Sequence, residues 1–355
     1  MKCKVEKSKI TGQIICPSNK SYTHRAIFLA SLAGNNSKVD NALLSADTAA
    51  TIDACKKFGA VIKTQNSTII AENPIKLDVN VPEINTENSG TTIRIASGIA
   101  SLFSNEITLT GDESLQKRPM QPLLDALESI GAQCDSTDGK PPIKIKGKIL
   151  GGNVSIPGNL SSQFVSALLI SAPLTEKGIN LTIDGNLVSK PYLDATIATM
   201  RKFGVTVQTL IPYKKYNITP QIYKSATFTV PIDFSSLGLL LSAVVLNGED
   251  VIIKGNLGDL PQGDEVFLDI LEQLGVSVTI NDDEIKIKSP EKLNGGKFDL
   301  SNSPDLLPPL AILALKTTAP IEITNVKHAR LKETDRIAII SREMVKLGIK
   351  VQEKE

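Results

Sequence analysis

At 355 residues, with 41% apolar side chains and charge distributed along its length, the chain exceeds one ordinary domain and has the composition of a globular protein with two lobes. Its 39 basic and 38 acidic residues leave no net field to draw nucleic acid or an anionic membrane, so any anion must be held by a local cluster. Four scattered cysteines, Cys3, Cys16, Cys55 and Cys134, with no C-x-x-C pair, and only 2 histidines argue against a disulfide framework, a zinc site or haem.

The opening residues, MKCKVEKSKITG, lack an apolar core of signal-peptide length, and the longest apolar stretch, around 237–246, is too short to span a bilayer. A reduced, cytoplasmic setting is therefore expected, with no export and no membrane attachment.

Two landmarks then alternate along the chain. The first is a short strand, a turn carrying Ser, Asn or Pro, and a helix of small residues: IICPSNKSYTHRAIFLASLAG, VPEINTENSGTTIRIASGIASL, VSIPGNLSSQFVSALLISAPL, TFTVPIDFSSLGLLLSAVVL and FDLSNSPDLLPPLAILAL. The second is an amphipathic helix closed by glycine: TIDACKKFGAVI, LLDALESIGAQC, TIATMRKFGVTV, LDILEQLGVSV and ISREMVKLGIKV, ending at Gly59, Gly131, Gly204, Gly275 and Gly348, 71 to 73 residues apart. Apolar residues three and four apart before such a glycine predict a helix with a left-handed cap, and the apolar alternation beyond it predicts a β-hairpin.

Each unit is thus expected to run βαβαββ, and five units are visible. The fifth stops at IKVQEKE, one strand into its hairpin, which is taken as a truncation that leaves an unpaired edge. Small side chains suit the bodies of the first-landmark helices to a buried core. Their first turns carry Lys20, Ser21, Arg25, Asn88, Gly90, Ser162 and Gln163, at the helix end whose free N–H groups attract anions.

Eight motifs in order carry a resemblance across essentially the whole chain: NKSYTHRA (19–26), ENSGTTIR (87–94), LTGDESLQKRPM (109–120), SSQF (161–164), VSKPY (188–192), PQGD (261–264), SPDLLPPLA (303–311) and KHARLKETDR (327–336). In these the chain resembles the enolpyruvyl transferases, and among them the shikimate-pathway branch. The resemblance implies an α/β (α+β) fold of two lobes, each an inverted α/β barrel of three βαβαββ repeats, with five of six repeats present here. Residues 1–16 and 230–355 would form the first lobe and 17–229 the second, with the active site in the cleft between them. It implies transfer of the enolpyruvyl group of phosphoenolpyruvate to the 5-hydroxyl of shikimate 3-phosphate by addition and elimination, in chorismate and aromatic amino acid biosynthesis. No metal, nicotinamide or flavin is expected, and a monomer is.

On the family's pattern Lys20, Ser21, Arg25, Ser161, Ser162, Gln163, Ser189, Tyr192, Asp305, His328 and Lys332 would hold shikimate 3-phosphate, Arg25 offering a planar fork to its carboxylate. Lys20, Asn88, Gly90, Arg118, Gln163 and Arg336 would hold phosphoenolpyruvate, with Arg94 in support and Gly90 admitting close approach. Asp305 would take the hydroxyl proton, Glu333 would exchange the methyl proton, and Lys20 and Lys332 would steady the anionic intermediate. Blander roles are open to the same residues: Ser161 and Ser162 as helix caps, the arginines in surface ion pairs, the KETDR segment as an ion-paired helix start capped by Thr334 or Asp335.

The family's pattern continues into an N-D-H-R segment and a later lysine that this chain lacks, so the polypeptide as written is expected to be unstable, inactive or an incomplete record. Three alternatives share these features. One is UDP-N-acetylglucosamine enolpyruvyl transferase, which typically carries a cysteine in the loop corresponding to GDESLQKRPM; none is present there, and SSQF and VSKPY favour shikimate. Another is a truncated non-catalytic binder of shikimate 3-phosphate, and the third is a repeat scaffold without a ligand.

Overall fold

The computed structural model describes residues 4, 6, 9–81, 83–281 and 283–354; Cys3 lies outside them. The chain opens with strand β1 (Ile10–Ile15). The first repeat then runs α1 (Lys20–Ala33), β2 (Ser37–Asp40), α2 (Ala46–Lys57), β3 (Val61–Gln65) and β4 (Thr68–Asn73). The second runs β5 (Glu83–Asn85), α3 (Gly90–Ala100), β6 (Ile107–Thr110), α4 (Gln121–Glu128), β7 (Gln133–Thr137) and β8 (Lys140–Lys146). The third is β9 (Gly152–Pro157), α5 (Ser162–Ser171), β10 (Ile179–Asp184), α6 (Lys190–Lys202), β11 (Gln208–Ile211) and β12 (Lys215–Ile218). After β13 (Thr227–Thr229) come α7 (Phe234–Asn247), β14 (Gly248–Lys254), α8 (Val266–Gln273), β15 (Ser277–Asn281) and β16 (Glu284–Lys288). Last are β17 (Gly296–Asp299), α9 (Leu307–Ile312), β18 (Ile321–Thr324) and α10 (Arg336–Lys346).

The predicted glycine caps are present in all five repeats. Gly59, Gly131, Gly204, Gly275 and Gly348 have φ between +79° and +119°. In each turn the residue after the glycine donates its N–H back to the carbonyl five residues earlier: Ala60 to Cys55, Ala132 to Leu127, Val205 to Met200, Val276 to Leu271 and Ile349 to Met344. That is the Schellman closure, which satisfies helix-end carbonyls and aims the chain into the next strand. Strand faces alternate as a half-buried sheet requires: in β8 Ile143 and Ile145 are fully buried while Lys140, Lys144 and Lys146 face water.

The chain divides into two compact units, one of residues 1–17, 231–330 and 334–355, the other of 18–230 and 331–333. The larger holds three four-stranded sheets, β13-β2-β4-β3, β5-β6-β8-β7 and β11-β12-β10-β9. Its buried core is built on α1, α3 and α5. Helices α3 and α5 approach so closely that a Cβ at Gly98 would stand 2.6 Å from the Ala167 carbonyl oxygen, which is why that position is glycine. The smaller unit has the sheet β1-β14-β16-β15 and the pair β17-β18 around a separate apolar core including Phe234, Leu237, Phe267, Leu271 and Leu310.

Two expectations need correction. The strands that precede α1 and α7 in sequence do not open the sheets of those repeats: β1 pairs in parallel with β14, whereas β13 pairs in parallel with β2. A local reading assigns a strand to the next helix, but ladder partners are chosen by tertiary hydrogen bonding. Residues 349–354 form no strand and pair with none among the described residues; Glu353 instead binds the Arg330 guanidinium at 2.7 Å.

Candidate functional site

In the larger unit the first turns of α1, α3 and α5 bring polar groups together. Each helix starts with a side-chain cap: Asn19 Oδ1 accepts from Tyr22 N (2.8 Å), Ser89 Oγ from Thr92 N (3.3 Å) and Ser161 Oγ from Gln163 N (3.3 Å). Ser161 therefore has the capping role open to it from sequence. Ser162 behind it is buried.

Around the start of α3 two arginines gather. Gly90 is the first residue of that helix, and a Cβ there would lie 2.7 Å from Arg118 Nη1 and 3.5 Å from Arg94 Nη1. Its lack of a side chain is what admits both guanidinium groups. Arg118 Nη2 donates to Asn88 Oδ1 (2.6 Å), and Asn88 in turn donates to Asp112 Oδ2 (2.7 Å). Arg94 donates to Gln163 Oε1 (2.5 Å) and lies 5.1 Å over the Phe164 ring, while Gln163 donates to Thr91 Oγ1 (2.9 Å). Burial, and then repulsion from Arg118, lowers the Arg94 pKa to about 10. The Arg94 Nε is buried with no hydrogen-bond partner among the described residues. Two neighbouring arginines, one of them deeply buried, raise the local potential and suit the start of α3 to an anion.

Lys20, in the first turn of α1, donates to Asp47 Oδ2 at 3.0 Å, and both side chains remain partly open to solvent. Burial pushes the Asp47 carboxyl upward, but Lys20, with Arg118 beyond it, holds it below its ordinary value. Beneath them His24 Nδ1 meets Thr51 Oγ1 (2.6 Å), Thr51 meets Thr92 Oγ1 (2.6 Å), and Thr92 meets Ser89 Oγ (2.6 Å). This buried hydroxyl chain ties α1 and α2 to the cap of α3. Burial first, then Lys20, lowers the His24 pKa to about 3, so the imidazole is neutral.

Arg25 departs from the expected open fork. It is 1% exposed, and three of its five N–H groups are taken by the protein: Nε by Thr196 Oγ1 (2.7 Å), Nη1 by the Ser21 carbonyl (2.9 Å) and Nη2 by the Tyr192 carbonyl (3.0 Å). A buried guanidinium has to be so supplied, because leaving its donors bare in a dry interior is costly. One further hydrogen remains on each terminal nitrogen. Ser189 is buried with a left-handed φ of +55° just before α6, while Ser21 and Tyr192 are half-buried.

In the smaller unit Asp305, on a single 3-10 turn before α9, forms an ion pair with Arg336, the first residue of α10. Asp335 caps α10 by accepting from Ala338 N (3.1 Å) and also holds Arg330 (2.8 Å), so of the two caps weighed for KETDR it is Asp335 that acts. His328 is buried in the turn Lys327–Leu331. Residues 331–333 cluster with the larger unit, where Lys332 is half-buried, Glu333 is exposed, and Ser114 Oγ donates to the Glu333 carbonyl oxygen (3.3 Å).

The structure thus gathers Asn88, Gly90 and Arg118, with Gln163 joined to them through Arg94 and Lys20 held on Asp47, and separately Ser21, Arg25 and Tyr192, and Asp305 with Arg336. Sequence reasoning missed Asp47, Thr91, Asp112 and Thr196. Asp47 carried a signal, an acid in the first turn of α2 behind the Ser45 cap; Thr196 carried none, lying mid-helix among small residues.

The sequence matches the family described as EPSP synthase (3-phosphoshikimate 1-carboxyvinyltransferase) over residues 5–355. The chain belongs to the EPSP synthase family. A 3-phosphoshikimate 1-carboxyvinyltransferase of Nitrosopumilus maritimus (strain SCM1) is 83% identical over 355 residues, covering 100% of this chain and 84% of that protein. A second such enzyme, of Methanothermobacter thermautotrophicus, is 40% identical over 98% of this chain and 83% of its own length. Among solved structures, an EPSP synthase from Acinetobacter baumannii superposes with a TM-score of 0.78 at 25% identity, covering 94% of this chain and 78% of that one. The enolpyruvyl transferase NikO from Streptomyces tendae shares the fold at a TM-score of 0.67 and 16% identity, over 89% of this chain and 75% of its own. The α/β enolpyruvyl transferase fold implied by the resemblance is the fold observed.

Proposed function

We propose that this chain transfers the enolpyruvyl group of phosphoenolpyruvate to the 5-hydroxyl of shikimate 3-phosphate with release of phosphate, as a monomer in the cytoplasm. Membership of the EPSP synthase family makes it a transferase of the shikimate pathway. The observation that carries the substrate assignment is the cationic cluster of Lys20, Arg94 and Arg118 around the glycine start of α3, chemistry suited to a small phosphate-bearing acid. No helix among the described residues is long and apolar enough to cross a membrane. Burial raises the thiols of Cys16, Cys55 and Cys134 to about 12, which keeps all three protonated and unreactive.

In the addition step the 5-hydroxyl oxygen bonds to C2 of phosphoenolpyruvate while Asp305 takes the hydroxyl proton and Glu333 delivers one to the methylene, giving a tetrahedral ketal. In the elimination Glu333 recovers a methyl proton as the C–O bond to phosphate breaks, and the departing phosphate takes up the proton held by Asp305, so that both carboxyls return to their starting states. Lys20 and Lys332 stabilise the developing negative charge, and Arg118 and Arg336 hold the donor. Arg336 orients the Asp305 carboxylate through their ion pair. Ser21, Arg25, Ser161, Ser162, Gln163, Ser189, Tyr192 and His328 hold the acceptor, and Asn88 and Gly90 complete the donor pocket.

The test is phosphate release from phosphoenolpyruvate offered with shikimate 3-phosphate or with UDP-N-acetylglucosamine. Turnover with the first acceptor alone is expected. Preference for the UDP-sugar overturns the assignment, and shikimate 3-phosphate binding without turnover replaces the transferase by a binder.

A further inference from the structure

We propose that Thr196 is a positioning residue for the acceptor: its hydroxyl takes the Nε–H of Arg25 and thereby sets the plane in which that guanidinium meets the carboxylate of shikimate 3-phosphate. This rests on the reading that Arg25 receives that carboxylate.

Thr196 is completely buried, and three polar atoms converge on its hydroxyl. Arg25 Nε lies at 2.7 Å, the Tyr192 carbonyl oxygen at 2.9 Å and Ser166 Oγ at 2.8 Å. A threonine hydroxyl has one hydrogen and two lone pairs. Arg25 can only donate, so one Thr196 lone pair takes its Nε–H. The Thr196 hydrogen goes either to the Tyr192 carbonyl or to Ser166 Oγ, whose own hydrogen can reach the Ser162 carbonyl at 3.2 Å. In both arrangements the bond from Arg25 to Thr196 keeps its direction.

The consequence is geometric. A guanidinium is planar, so anchoring Nε, together with Nη1 on Ser21 and Nη2 on Tyr192, removes its rotational freedom. The two hydrogens not used by the protein sit on Nη1 and Nη2, the nitrogens tied to the carbonyls of Ser21 and Tyr192. A paired carboxylate needs both in one fixed plane. Without the Thr196 oxygen, Nε–H is a bare donor in a dry interior, and the group turns to recover an acceptor, taking both hydrogens out of register. Because the same hydroxyl binds the Tyr192 carbonyl from one turn further on, it joins the direct bond from Arg25 Nη2 in holding the first turn of α6 to α1.

The experiment is calorimetric titration of the protein with shikimate 3-phosphate and with its analogue in which the carboxylate is reduced to a hydroxymethyl group. For Thr196→Val, nearly the native shape without the hydroxyl, affinity for shikimate 3-phosphate is expected to fall on the order of ten- to a hundredfold. Thr196→Ser is expected to restore it, and the analogue to bind Thr196→Val and the native protein alike. The proposal is overturned if Thr196→Val binds shikimate 3-phosphate as the native protein does, or loses the analogue to the same degree, which would mark a packing defect. Should the valine variant not fold, Thr196→Ala is scored by the same two ligands. Arg25→Ala separates the layers: weakened binding there with a silent Thr196→Val removes only the role of Thr196, whereas unchanged binding in Arg25→Ala removes the Arg25 reading and this inference with it.

Discussion

Each repeat contains two helices, and their working ends are opposite. The even-numbered helices α2, α4, α6, α8 and α10 finish in the same glycine turn five times over, with the same backward hydrogen bond from the residue after the glycine. The odd-numbered α1, α3 and α5 share no such uniformity; their starts carry Lys20, Gly90 with two arginines, and Gln163 in turn. A structural task imposed by backbone geometry has one solution and repeats it. On the proposed function these starts meet an asymmetric ligand, whose recognition needs different groups at each contact.

The contrast can be broken from either side. The largest effect is expected at the chemistry: Asp305→Asn should lower kcat roughly a hundred- to ten-thousandfold with the fold retained, measured by phosphate release beside a urea unfolding curve. An Asn variant with near-native turnover would remove Asp305 as the base. Next, Gly98→Ala forces a methyl into the α3–α5 contact and should cost about 1–3 kcal/mol of unfolding free energy, showing that the helix bodies, unlike their first turns, are read by stability.

His24 tests the layer between the two. Its folded pKa, lowered to about 3 from 6.5, means that the unfolded chain binds the extra proton between those values. Its stabilising contribution is therefore complete above the unfolded pKa and is lost as pH falls through that window. From pH 7 to pH 5 the native protein should lose about 2 kcal/mol that His24→Asn does not. Parallel urea midpoints for the two proteins at both pH values would contradict a buried neutral imidazole. The smallest expected effect is Gly204→Ala, about 1 kcal/mol from placing a Cβ at φ +79°, with turnover per folded molecule unchanged. A fall in turnover there would blur the division between the two helix classes.

The period of the fold was legible because its marks are local. A glycine cap, an amphipathic spacing and a strand alternation are each settled within about ten residues, so sequence alone placed the helices, the hairpins of the first four repeats and the polar first turns. The candidate residues were legible where they lie in those turns, and their contacts there are Lys20 with Asp47, Asn88 with Asp112, Gly90 beside Arg118 and Arg94, and Gln163 with Arg94. Arg25 shows the limit, since its motif identified the guanidinium but not its burial.

Sequence by itself determined the βαβαββ repeat, its caps and the residue types available for anion binding, because each follows from backbone sterics and from neighbours close along the chain. Only the tertiary structure decided that β1 pairs with β14 and β13 with β2, that Lys20 finds Asp47, that Arg336 finds Asp305 and that Arg25 is held by Thr196, 171 positions away. These partners are selected by hydrogen-bond and charge complementarity in the interior, where an unmet donor is costly and the nearest acceptor in space need not be near in sequence.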